Sequence, residues 1–112
     1  MEQIGLFLNV SRETSDEDLI TLAKLADGLG YHSFWTGESW GRDAFTILTM
    51  VACHTDNLRL GTGIVTTYSR TPALIAQTVA SLDILSKGRA ILGLGSSGKV
   101  VVLSLIHISE PT

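Results

Sequence analysis

The sequence predicts an α/β protein whose elements run βαβαβαβ with parallel strands. Two observations carry that expectation. Short apolar segments begin near residues 4, 33, 58 and 90, about one every thirty residues. Between them lie three stretches with apolar residues at helical spacing, each opened by a side chain that can cap a helix. Strands and helices alternating at this interval pair in parallel through right-handed crossovers. A doubly wound sheet and an eight-fold barrel share this local pattern. Both place their chemistry at the carboxyl ends of the strands.

The elements follow in order. Ile4-Gly5-Leu6-Phe7-Leu8 reads as a short buried strand, and the polar run from Asn9 to Thr14 as a loop. Ser15 can cap a helix whose first turn holds Asp16, Glu17 and Asp18, where the helix dipole favours negative charge. Leu19, Leu22, Ala23, Ala26 and Leu29 form its apolar stripe, and Gly28 and Gly30 suit its end. Ser33-Phe34-Trp35-Thr36 is the second strand. Asp43 caps a second helix from Ala44 to roughly His54, with Phe45, Leu48, Val51 and Ala52 inward. Cys53 on this helix reads as a small core residue.

The third strand starts at Leu58. Alternation points Arg59, Gly61 and Gly63 to one face, and Leu58, Leu60 and Thr62 to the other. Glycine inside a strand often marks a bulge or the close approach of a ligand. Thr71-Pro72 opens the third helix with a capping hydroxyl and a proline at the first helical position. Ile75, Val79, Leu82 and Leu85 give its stripe, and Lys87-Gly88 its end. Ala90 to Leu94 is the fourth strand.

Composition narrows the function classes. The formal net charge is −3 and no Lys/Arg cluster stands out, which argues against a nucleic-acid partner. Cys53 is the one cysteine, so no internal disulfide forms, and a cytoplasmic location is expected. No stretch reaches the roughly 18 apolar residues of a membrane span, and no His/Cys/Asp/Glu spacing suggests a metal site.

Candidate chemistry collects at the predicted strand ends. Gly93-Leu94-Gly95-Ser96-Ser97-Gly98 has the spacing of a dinucleotide fingerprint after a strand, but Lys99-Val100-Val101-Val102 is a poor helix start. A phosphate-cradling loop or a plain tight turn are the other readings. Glu38 and Ser39 follow the second strand; Glu38 either hydrogen-bonds a ring, acts in proton transfer, or is a solvated loop carboxylate. Thr66 to Ser69 gather hydroxyls before Arg70, which binds an anion or makes a surface ion pair. Trp35 and Trp40 are candidate walls for a cofactor pocket, Trp35 being the better core residue. His32 and His54 sit at element edges and carry no assigned chemistry.

Several segments together resemble a known family. They are Phe34-Trp35-Thr36-Gly37-Glu38-Ser39-Trp40-Gly41-Arg42-Asp43-Ala44-Phe45, Leu58 to Ile64, Tyr68-Ser69-Arg70-Thr71-Pro72-Ala73, Leu82 to Arg89, and Leu92 to Gly98. The chain from Ile4 to about Val102 is similar to the bacterial luciferase-like oxidoreductases, most of all to the branch using the deazaflavin coenzyme F-420. The resemblance implies the amino-terminal half of a (β/α)8 TIM barrel. It implies coenzyme F-420, or alternatively FMN, as cofactor, and a homo-oligomeric parent acting on a small organic substrate. For a deazaflavin member the implied reaction is hydride transfer; for an FMN member it is monooxygenation. A non-catalytic flavin-binding relative is a third reading. Through the resemblance Glu38 becomes the candidate catalytic residue, and Gly63, Ile64, Thr66, Gly95 and Ser96 candidate cofactor-binding residues. Many members carry a bulge with a non-prolyl cis peptide behind the ring, and the matching bond is Gly63-Ile64. Some relatives have His after the acid where this sequence has Ser39.

Residues 1–102 are thus expected to form the amino-terminal part of one luciferase-like domain. Residues 103–112 read differently. Leu103-Ser104-Leu105-Ile106-His107-Ile108-Ser109-Glu110-Pro111-Thr112 resembles the translation of a transposase adapter used in sequencing libraries, so His107 and Glu110 are kept out of any site. A barrel of this kind needs roughly 250 residues. Four strands alone leave edges unpaired, and the isolated chain is expected to aggregate and to lack activity.

Overall fold

A computed structural model describes residues 3–38 and 41–96. Its elements are β1 (Gly5–Leu8), α1 (Asp16–Gly28), β2 (Ser33–Thr36), α2 (Ala44–Cys53), β3 (Arg59–Thr62), β4 (Val65–Thr66), α3 (Pro72–Leu85), β5 (Ala90–Ile91) and β6 (Leu94–Gly95). Ser39, Trp40, the end of the glycine motif and residues 103–112 lie outside the described residues.

The principal sheet has the order β1-β2-β3-β5, all parallel, and β4 pairs with β6, also in parallel. Strand order follows chain order, so right-handed crossovers put every helix on the same side. This separates the two architectures that the sequence left open. A doubly wound sheet reverses its order at a switch point, whereas a barrel does not.

The caps explain where the helices start. Ser15, Asp43 and Thr71 each accept a backbone N–H three residues on, from Asp18, Thr46 and Leu74. Each thus satisfies one of the amides a first turn leaves free. Gly30 and Gly88 take positive φ just past α1 and α3, the conformation that closes a helix end. Lys87 also has φ 60° and lies past the cap Ser86, so it sits beyond the last turn where the sequence placed it.

The register sorts the side chains. Leu6, Phe34, Leu60 and Ala90 are aligned, and Phe34 and Leu60 are fully buried against the helices. The core continues through Leu19, Ala23, Phe45, Leu48, Val51, Leu58 and Leu82. The opposite face carries Phe7, Trp35, Gly61 and Ile91 in one row. Phe7 is 52% exposed there. Trp35 therefore is not helix-side core: its half-buried indole lies across Gly61, where a Cβ would collide with the ring, and donates to Ser33 Oγ at 2.8 Å.

Other expectations need correction. The first strand, read as buried, is the edge strand β1, and none of its residues is buried. Cys53 is exposed, because it lies two turns after the exposed Thr46 and so on the same outer helical face. Leu29 is the cap residue of α1 rather than part of its stripe, and is exposed; Leu85 ends α3 half in solvent. The third and fourth strands are each interrupted, at Gly63-Ile64 and at Leu92-Gly93.

The amino-terminal end of the sheet is tied by two side chains. Asp27 at the end of α1 accepts the backbone N–H groups of Asp56, Asn57 and Leu58. Arg89, before β5, donates to the carbonyls of Ala52, Thr55, Leu58 and Ser86 and to the Thr55 hydroxyl. Its cation thereby sits at the negative carboxyl ends of α2 and α3.

Candidate functional site

The carboxyl ends of β1, β2 and β3 open onto a cleft of about 760 Å³. That is the size of a small-molecule site. Three glycines line it, Gly37, Gly41 and Gly63, and a fourth, Gly95, lies behind Ile64. Gly37 and Gly63 face each other closely, since a Cβ on Gly37 would come within 3.1 Å of the Gly63 carbonyl oxygen. A Cβ on Gly63 would meet the Phe7 ring at 2.7 Å. Gly41 lies against the Val10 carbonyl and Gly95 against the Ile64 side chain, so close that neither position has room for a Cβ.

The interruption at Gly63-Ile64 is held by its neighbours. The Gly63 amide donates to Thr36 O at 2.9 Å, and Val65 N–H to Gly93 O at 3.1 Å. The peptide bond there is trans, as among all described residues, which corrects the cis bond the resemblance implied. The ladder is broken without it: β3 stops at Thr62 and β4 starts at Val65, leaving the two intervening residues on the cleft wall.

Glu38 stands at the cleft edge and is not a solvated carboxylate. Its side chain is 11% exposed. Arg70 donates from Nη1 to Oε1 and from Nη2 to Oε2, both at 2.7 Å, and the Ala44 amide donates to Oε2 at 2.8 Å. Paired, charge-assisted bonds of this kind are the strong ones. Arg70 also pairs with Asp43, and its guanidinium lies 5.2 Å from the centroid of the Phe45 ring. Hydrogen bonding to Glu38 raises the Arg70 pKa against the opposing effect of burial. For Asp43, burial acts upward, but the Thr46 hydrogen bonds and the Arg70 charge outweigh it and hold the carboxyl below its ordinary value. Arg70 is therefore in an ion pair, as a lone Arg most often is, but one only 13% exposed.

The candidate residues do not all converge. Glu38, Gly63 and Ile64 line the cleft. Thr66 is buried behind it, its hydroxyl accepting the Tyr68 amide at 3.2 Å. Gly95 packs beneath Ile64 and its carbonyl accepts the Thr67 amide, while Ser96 is exposed. Gly93 and Gly95 thus serve close approach between strands. The sequence reading gave no individual site role to Phe7 or to the loop Asn9 to Glu13, which form the other cleft wall. Their position after the first strand was the available signal, since strand ends carry the chemistry of such folds.

The cleft suits a planar ring cofactor on its own chemistry. Gly37 and Gly63 keep side chains off the backbone, Phe7, Val10 and Ile64 supply apolar surface, and Asn9, Ser11 and Glu38 supply polar atoms.

Comparison with known proteins bears on the family and the fold. The model of the luciferase-like monooxygenase family matches residues 5–106. A Mycobacterium tuberculosis protein, provisionally named a coenzyme F-420-dependent oxidoreductase, is 38% identical over 100 residues, covering 89% of this chain and 29% of that protein. The 5,10-methylenetetrahydromethanopterin reductase of Methanolobus tindarius is 42% identical over 74 residues, 65% of this chain and 23% of the reductase. Among solved structures, the coenzyme F-420-dependent tetrahydromethanopterin reductase of Methanopyrus kandleri superposes with a TM-score of 0.82 at 29% identity, over 92% of this chain and 29% of its own. A monooxygenase of Streptomyces bottropensis superposes with a TM-score of 0.78 at 32% identity, over 93% and 36%. These neighbours are barrels of which this chain covers only part. The chain spans less than a third of the length of the two curated relatives named here.

Proposed function

Because this chain belongs to the luciferase-like monooxygenase family, we propose that it supplies the first four strands of a barrel oxidoreductase using coenzyme F-420. The parent enzyme transfers a hydride between that deazaflavin and a small organic substrate. The observation that carries the reading is the interruption at Gly63-Ile64, which puts bare backbone on the wall of the cleft beside Phe7 and Gly37. The relatives named for coenzyme F-420 support the choice of cofactor.

Bound there, the deazaflavin supplies a ring carbon that accepts or donates the hydride. This chain's own residues do the rest. Gly63 and Ile64 present backbone and one aliphatic side chain to the ring, and Phe7 and Val10 exclude water. Glu38 enters as a fixed acceptor at the edge. With Arg70 and Ala44 N–H already on its carboxylate, it suits holding a ring N–H better than carrying a proton away. Thr66 and Gly95 support the wall from behind, and Ser96 leads toward the remainder of the site. In isolation the four strands expose the row containing Phe7, so the isolated chain is proposed to be inactive.

A second reading is an FMN-dependent monooxygenase, in which the Streptomyces bottropensis monooxygenase supports the reaction type and the resemblance supplies FMN. The test uses the full-length protein, which would include strands five to eight. It is supplied with reduced coenzyme F-420 or with reduced FMN, while cofactor oxidation and oxygen uptake are followed across a set of small carbonyl and imine substrates. Substrate-dependent deazaflavin oxidation without oxygen uptake is expected. Oxygen uptake with reduced FMN and an oxygenated product would overturn the first reading in favour of the second.

A further inference from the structure

We propose that Arg70 is a positioning residue of the cleft, holding the Gly37-Glu38 edge in place against the Gly63-Ile64 wall. The inference rests on the reading that this cleft receives the cofactor ring.

Arg70 lies in the loop between β4 and α3, and Glu38 in the loop after β2, 32 residues apart in the chain. Their paired hydrogen bonds join the two loops directly. The Ala44 amide fixes Glu38 to the first turn of α2, and Asp43, which caps that helix through Thr46, pairs with the same guanidinium. The face of Phe45 limits where the guanidinium can lie. One cation therefore gathers three polypeptide segments, through a planar fork that Lys cannot reproduce.

The route from this brace to the wall is short. Glu38 follows Gly37, where an added Cβ would come within 3.1 Å of the Gly63 carbonyl oxygen, and Thr36 O accepts the Gly63 amide at 2.9 Å. Thr36 and Gly37 directly precede Glu38, so a shift of Glu38 is passed along the backbone to the Thr36 carbonyl that holds the Gly63 amide. In this arrangement Arg70 acts on the ring through Glu38 and the backbone, without needing to touch it.

The test compares full-length wild type with Arg70→Lys, Arg70→Met, Glu38→Gln and the Arg70→Met/Glu38→Gln double variant. Amide hydrogen exchange is read at Gly37, Gly63 and Ala44, well below each protein's Tm, and Kd is measured for coenzyme F-420 and for FMN by fluorescence. Arg70→Met is expected to speed exchange at these amides and to weaken binding of the preferred cofactor, each about tenfold, the scale of one lost charge-assisted bond. Arg70→Lys recovers only part of both. The double variant is no worse than Arg70→Met, because the two side chains act as a unit. Wild-type exchange in Arg70→Met overturns the proposal. Faster exchange with an unchanged Kd also overturns it, leaving a brace that serves stability alone. A wild type that binds neither cofactor counts against the proposed function instead, and the exchange at Gly63 then decides the brace by itself.

Discussion

The Thr62 hydroxyl donates to the Gly93 carbonyl at 2.8 Å and accepts the Gly93 amide at 2.7 Å. A side chain thus stands in for a rung of the ladder, at the point where β3 gives way to β4 and β5 to β6. A hydroxyl can do both, having one donor and two acceptor sites. The pairing resumes immediately beyond it, with Val65 against Leu94. Replacing Thr62 with Val keeps the shape and leaves the Gly93 amide without its partner. In the full-length protein, denaturant unfolding should show a loss of about 1–3 kcal/mol, while Thr62→Ser should lose much less.

Gly93 is constrained from the same side. A Cβ there would overlap the Thr62 carbonyl oxygen, and this neighbour is backbone rather than a flexible side chain. Gly93→Ala is therefore expected to destabilise by about 1–3 kcal/mol through forced displacement of β3. Gly28→Ala, at a helical glycine with open space around it, should be neutral or slightly stabilising. Thermal unfolding of the two variants side by side checks the contrast.

Asp27 anchors the opposite end of the sheet by accepting three consecutive backbone amides. Water can replace the carboxylate at the exposed Asp56 and Asn57, but less readily at Leu58, which is fully buried. Asp27→Ala should lower stability by about 1–3 kcal/mol, with Asp27→Asn in between. Hydrogen exchange should rise most at the Leu58 amide.

Asp43 adds an acid-sensitive contribution. Its folded-state pKa is held below the ordinary carboxyl value of 3.8, so the folded state binds fewer protons than the unfolded one around that pH. The associated stability is fully present above the unfolded pKa and is lost as pH falls through the folded one. Asn is an equally good cap, so Asp43→Asn keeps the helix start but removes the titration. Wild type should exceed this variant in stability above about pH 5, and the difference should shrink below about pH 4. A difference independent of pH would contradict this.

Much of this fold was legible in the sequence because its signals are local. Ser15, Asp43 and Thr71 announce helix starts by their own side chains, and each cap is where the sequence put it. The apolar pattern of Phe45, Leu48, Val51 and Ala52 likewise reports the buried face of α2. The resemblance supplied the barrel, and the strand order bears it out. What the sequence hid depends on residues far apart in the chain. Nothing near Glu38 indicates that Arg70 will reach it, and nothing near Asp27 indicates that it will cap the loop before Leu58. The glycines were noticed, but their neighbours were not legible: Trp35 over Gly61, Phe7 over Gly63 and Thr62 behind Gly93. Alternation held through Thr62 and stopped where the ladder breaks.

The proposed cofactor site turns on the cleft wall at Gly63. The most direct measurement is the Kd of the full-length protein for coenzyme F-420 and FMN, in wild type and in Gly63→Val. Phe7 is half exposed, and a Cβ on Gly63 would meet the edge of its ring rather than backbone, so the new side chain is expected to enter the cleft while the fold persists. The variant is expected to keep its circular dichroism spectrum and to bind the preferred cofactor at least about tenfold more weakly, the scale of a steric clash in a packed site. A folded Gly63→Val protein with the wild-type Kd would contradict the proposed site.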